Sequence, residues 1–221
     1  DGAFVSRARR AGVAVGPSPA VGWGTGFIDL DNDGWLDLHL ATTKFTQLTA
    51  EAGPEGMHDP YTDFLFHNEG NGNFIDVTPT SWQRNGKAAM GSAYADFDQD
   101  GFVDLLLTNW NDGPQLYRNT ALWGAENRSL WIRLQGDGRR VNRDAAGARV
   151  YLQRADGLTL MREVKLGSSL GAGNDPALHF GLGRSRVVGL TVRWPTGMVQ
   201  QVQPPAPEIG MLVIEYPETA E

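Results

Sequence analysis

None of the 221 residues is cysteine. That excludes disulfides, thiolate zinc sites and cysteine nucleophiles together, and leaves the compartment open. No apolar run approaches the roughly eighteen residues of a membrane-spanning helix. From residue 128 onward convincing helical periodicity is also missing: apolar residues form short strand-like runs between Gly, Asp or Pro turns. Basic charge is scarce in the first half, where residues 1–120 carry 16 acidic and 7 basic side chains, against 10 and 12 in residues 121–221. A surface short of Lys and Arg cannot neutralise phosphates, which argues against a nucleic-acid partner. The charge contrast places a domain boundary near 121–127, giving 1–120 and 121–221. The chain begins at Asp1 rather than Met, as a processed, trimmed or partial product would, with any signal peptide already gone.

What is abundant is turn chemistry: 28 glycines and 12 prolines with no short period favour a turn-rich β protein. The first half is a repeat. GTGFIDLDNDGWLDLHLAT (24–42) aligns with GSAYADFDQDGFVDLLLTN (91–109), each reading as strand, tight loop, strand. A third segment follows in both copies, DFLFHN (63–68) and PQLYRN (114–119), and a fourth, GNGNFIDVT (70–78), only in the first. The opening DGAFVSRA resembles that fourth strand. The second copy therefore needs a strand from the amino terminus or from a longer array. Four antiparallel strands per repeat predict propeller-type blades, so the expected fold is all-β, a partial β-propeller of two blades followed by a small β-sandwich.

The loops between the first two strands carry the chemistry. Asp29, Asp31, Asp33 and Asp37 occupy positions 1, 3, 5 and 9, and Asp96, Asp98, Asp100 and Asp104 repeat the spacing. Gly34 and Gly101 permit the turn that brings in a position-7 carbonyl, from Trp35 or Phe102. Several carboxylates with all-oxygen ligation suit a hard cation, and Ca²⁺ in two sites is the expected cofactor. An EF-hand would need Glu at position 12, where Leu40 and Leu107 stand, so that reading fails. The alternative of solvated Asp/Asn turns loses ground because the whole pattern occurs twice.

These D-x-D-x-D-G-x-x-D loops, with LFHNEGNGNFIDVT, resemble FG-GAP/VCBS repeats. The resemblance implies that each loop joins neighbouring strands of a calcium-loop blade. In the second half, Asn142-Arg143-Asp144 leading into Gly147-Ala148-Arg149-Val150, then His179 to Gly183, then Val192-Arg193-Trp194-Pro195 with Gly197, resemble the ASPIC/UnbV domain at the carboxyl end of the cartilage acidic protein family and its bacterial relatives. That match covers about residues 128–203.

Neither half shows an assembled catalytic set. His179, in a strand-like apolar context, reads as packed rather than catalytic. Ser168-Ser169 reads as a Gly-rich turn. The expected function is therefore non-enzymatic: an extracytoplasmic (periplasmic, cell-surface or secreted) interaction or scaffold subunit set by calcium, docking on a protein partner or a larger, membrane-associated complex. The alternative is a calcium-dependent carbohydrate-binding module or sugar-acting enzyme, with Trp35, Trp110 and Trp123 as aromatic platforms. A 16-residue excess in the first copy, within 43–62, is a candidate binding loop with His58 and Tyr61 as contacts.

Overall fold

The computed structural model describes residues 3–14, 20–44, 63–78, 87–205 and 210–218. His58 and Tyr61 lie outside the described residues. Four strands, β1 (Ala20–Ile28), β2 (Asp37–Lys44), β3 (Asp63–Asn68) and β4 (Phe74–Asp76), form an antiparallel meander in that order. A second meander holds β5 (Ala89–Ala95), β6 (Asp104–Asn109) and β7 (Asp112–Tyr117). The acidic loops are the turns between β1 and β2 and between β5 and β6. Alternation sets the core face of these strands. In β5 and β6, Ala89, Tyr94, Leu105 and Leu107 turn inward and join Ile28, Ala41, Val103 and Trp131 in one apolar cluster.

The second half contributes β8 (Arg128–Gln135), β9 (Arg149–Arg154), β10 (Thr159–Glu163), β11 (Leu178–Gly183), β12 (Val187–Arg193), β13 (Val199–Val202) and β14 (Met211–Glu215). They form two sheets, β10-β9-β12-β13 and β11-β8-β14, the last pair parallel. Between them lies the larger core, built from Leu130, Ile132 and Leu134 of β8 facing Val150, Leu152, Leu190 and Val192. The R-W-P-T-G stretch has a packing role. Trp194 is fully buried, donates Nε1–H to Gln200 Oε1 at 2.9 Å and meets Tyr216 edge-on, while a tight turn closes through Gly197 N to Trp194 O. The sandwich expectation holds in these two facing sheets.

The propeller expectation does not. The chain is all-β, but its sheets are small and are not closed into propeller blades. The free edge of β5, which a blade would leave to the central channel, is capped by the second half: Ser92 N donates to Ser169 Oγ at 3.0 Å and Tyr94 N to Asn174 Oδ1 at 3.1 Å. β1 and β2 meet β5 through a buried link from His39 Nδ1 to Tyr94 Oη at 2.8 Å. Edge amides satisfied by side chains of the sandwich need no further blade, and an apolar face packed on Trp131 is already covered.

Candidate divalent-metal loops

Local chemistry folds both loops in the same way. The first carboxylate accepts the position-6 amide: Asp29 Oδ2 from Gly34 and Asp96 Oδ2 from Gly101, each at 2.9 Å. The fifth-position acid accepts the seventh amide, Asp33 from Trp35 at 2.7 Å and Asp100 from Phe102 at 2.9 Å. The ninth-position acid bridges strands. Asp37 accepts from Leu30 N and Asn68 N at 3.0 and 2.8 Å, and Asp104 from Phe97 N and Asn119 N at 2.9 and 2.7 Å. Gly34 and Gly101 have φ of 102° and 93°, a region closed to most side chains, which explains glycine at position 6.

Two clusters able to chelate a divalent ion result. In the first, Asp31, Asp33 and His67 bring ligand atoms within 4.8 Å of one another, and in the second Asp96, Asp98 and Asp104 do so. Asp29, Asp37 and Asp100 stand outside those triplets, Asp29 and Asp37 deeply buried beneath the first. Trp35 and Phe102 lie at the turn, their amides held by Asp33 and Asp100. His67, from β3, is a member that the loop spacing does not announce; its ring Nδ1 lies 3.0 Å from Asp37 Oδ1 and 3.9 Å from Asp31 Oδ2. The signal was its place before the third-strand Asn, where the second copy has Arg118. That arginine pairs with both Asp98 and Asp100.

The electrostatics show what the loops need. Burial, reinforced by Asp33, Asp37 and Asp31, pushes the Asp29 carboxyl up to about 8, although Arg162 opposes the shift. Burial also pushes Asp33 up to about 6 and raises Asp31 and Asp96. Hydrogen bonding to Asp37 lifts His67 to about 9. Asp29 Oδ1 is buried without a hydrogen-bond partner. Crowded carboxylates driven toward neutrality, one with an orphaned oxygen, fit a hard divalent cation that would restore their charge.

The first loop is also where the two halves dock, a role invisible in its spacing. Asp29 Oδ2 accepts from Gly181 N at 3.1 Å, Asn32 O from Gly183 N at 2.7 Å and Asp31 O from Asn127 Nδ2 at 2.7 Å. Arg154 donates to the Asp33 carbonyl at 2.5 Å. A Cβ on Gly181 would sit 2.1 Å from Asp29 Oδ2, so only glycine allows this approach. The H-F-G-L-G motif is thus a docking edge. Its His179 is half-buried against Trp131, with ring centroids 4.7 Å apart, and desolvation depresses its pKa to about 3.

Gly167 to Gly171 has G-x-S-x-G spacing, yet Ser169 caps β5 and stands on no strand-to-helix elbow. Among the described residues no nucleophile, base and orienting group assemble. Trp35 and Trp123 flank the first cluster, Trp123 with its ring 6.1 Å from that of His67, whereas Trp110 follows the end of β6.

Comparison with known proteins defines the class. The FG-GAP-like repeat family matches residues 52–107, spanning β3 to most of β6 and including the second acidic loop. The ASPIC and UnbV family matches residues 138–220. The chain thus carries FG-GAP-like repeat sequence and an ASPIC/UnbV domain. It is homologous to the cartilage acidic protein family. Cartilage acidic protein 1 of Mus musculus is 40% identical over 63 residues, and that of Homo sapiens 38% over 63; each alignment covers 28% of this chain and 10% of the relative. The Xenopus tropicalis protein of that name is 26% identical over 196 residues, 86% of this chain and 28% of the relative. The chain therefore spans under a third of the length of these relatives. No helix of the described residues is long and apolar enough to cross a membrane.

Proposed function

We propose that this chain is a non-enzymatic, extracytoplasmic, calcium-dependent interaction or scaffold unit. Residues 1–120 supply the metal-binding repeats and residues 121–221 the ASPIC/UnbV unit docked on them. Calcium is held by Asp29, Asp31, Asp33, Asp37 and the Trp35 carbonyl in the first loop. In the second, Asp96, Asp98, Asp100, Asp104 and the Phe102 carbonyl hold it. His67 and Arg118 are the counter-charges beside the two sites. The observation that carries this reading is the buried Asp29 carboxylate, whose Oδ1 has no partner inside a loop of like charges. An ion there would replace a proton and fix the backbone that Gly181 and Gly183 grip. Loading would then present repeats and sandwich to a protein partner as one surface. Extracellular calcium, near millimolar, fills even weak sites of this type, and homology to the cartilage acidic protein family supports a location outside the cytoplasm.

Titration calorimetry on chelator-treated protein tests the proposal. Two calcium ions per chain and a melting temperature that rises with calcium are expected, because a ligand at about a hundred times its Kd adds roughly 2.7 kcal/mol. Absence of both heat and thermal shift at millimolar calcium would overturn it.

A further inference from the structure

The two meanders differ by one strand. In the first, β4 pairs with the end of β3, setting Phe66 opposite Asp76, His67 opposite Ile75 and Asn68 opposite Phe74, and Val77 N donates to Leu65 O at 2.9 Å. The second ends at β7 among the described residues. The repeat places Leu116, Tyr117, Arg118 and Asn119 where Leu65, Phe66, His67 and Asn68 stand. By that equivalence the backbone groups of Leu116 and Arg118 face outward, as those of Leu65 and His67 face β4. Beside them runs a cleft of about 350 Å³ walled by Leu65, Leu105, Leu116, Leu122 and Trp123. Leu116 is 58% and Leu122 66% exposed, a costly way to leave two leucines beside a strand edge.

The same chain carries a matching strand. GAFVSRA (2–8) aligns with GNFIDVT (72–78), aromatic on aromatic and β-branched on β-branched. Phe4 is fully exposed, Val5 is 78% exposed, and residues 3–7 are in no sheet. Their root is held on the first sheet, not the second: Phe74 N donates to Ala11 O at 2.8 Å, and the turn above it closes through Ala11 N to Arg7 O at 2.8 Å. Donor and acceptor are thus both present and do not meet within one molecule.

We propose that the outer edge of β7 is a strand-acceptor site and that it takes residues 3–8 of a second copy of this chain. The register follows from β3 and β4: Val5 opposite Arg118, Phe4 opposite Asn119, and Arg7 N donating to Leu116 O. Main-chain hydrogen bonds hold the strand while Phe4 and Val5 cover the apolar cleft. The contact joins unlike surfaces, so reciprocal exchange closes a dimer and one-way donation builds a chain of molecules. None of this depends on an ion in the acidic loops.

Sedimentation velocity of the full chain, from micromolar to submillimolar concentration, tests it in calcium and in chelator alike. Concentration-dependent association is expected in both. Val5→Pro removes a ladder amide from an exposed segment and leaves the fold intact, and it should weaken association at least about tenfold. A synthetic peptide of residues 2–8 in excess should dissociate the wild-type assembly. A chain that stays monomeric throughout overturns the proposal, including the case in which residues 3–8 settle on their own β7. So does a Val5→Pro variant that associates like wild type, or a peptide without effect.

Discussion

Asn32 Nδ2 donates to the Gly101 carbonyl at 3.1 Å, tying the turn of one acidic loop to the turn of the other across 69 residues of sequence. Asn119 adds a second tie, donating Nδ2 to the Leu30 carbonyl at 2.8 Å. The loops are therefore mechanically one object. Asn32 sits at φ 59°, a conformation that glycine adopts freely, so Asn32→Gly isolates the lost hydrogen bond from backbone strain. The variant should lose about 1–2 kcal/mol in urea unfolding. Wild-type stability would show that the tie is idle.

Gly181→Ala tests the docking of the halves. The new methyl meets Asp29 Oδ2 and the Asn32 backbone, neither of which can yield without disturbing the loop. A cost of roughly 2–4 kcal/mol is expected. Calorimetry should also separate one melting transition into two as the sandwich comes free. Gly113→Ala, which meets nothing within 4 Å, is the matched control and should melt as wild type does.

The ion-free protein should lose stability as pH rises. The Asp29 carboxyl is lifted from its ordinary value to about 8 in the fold, chiefly by burial. Between about pH 4 and that value the folded chain keeps a proton that the unfolded chain has released, so unfolding grows easier with each step upward. Above about pH 8 the Asp29 contribution levels off, while His67, lifted to about 9, extends the decline to that value. Asp29→Asn should flatten this slope in chelator. Denaturant midpoints measured at several pH values decide it, and an unchanged slope in the variant would assign the effect elsewhere.

At the second loop, Asp98→Ala should lower the melting temperature in calcium and leave it nearly unchanged in chelator, where only the exposed pair with Arg118 is lost. Arg118→Ala should act in the opposite sense and tighten calcium binding at that loop. A modest gain of about two- to fivefold is expected, since exposed ion pairs are weak and screened. Calorimetric titration of both variants reads the two effects. Weaker binding in Arg118→Ala would mean that the guanidinium supports the ion rather than opposing it.

Much of this was legible in the chain. Strand, loop and repeat follow from alternation and turn residues, and the spacing of Asp31 and Asp33 marks two members of the first cluster because alternate positions on a curled loop share one centre. His67 was not, since it arrives from another strand. Nor were Arg154, Arg162, Gly181 and Gly183, whose partners lie more than a hundred residues away and leave no local period. The propeller expectation failed for a related reason. Four strands per repeat describe the first sheet, and the second stops at three among the described residues, but what covers a sheet edge is decided by side chains such as Ser169 and Asn174, which read as parts of an ordinary turn.

β8 lies between β11 and β14, and β14 follows every other described strand in the sequence. Until residues 211–215 leave the ribosome, the central strand of that sheet has only one neighbour, and the core around Leu130, Ile132 and Leu134 stays open on one flank. A nascent chain must therefore hold an unfinished sandwich against the repeats that emerged before it. Premature stops just upstream of Met211 would expose that flank to chaperones and proteases.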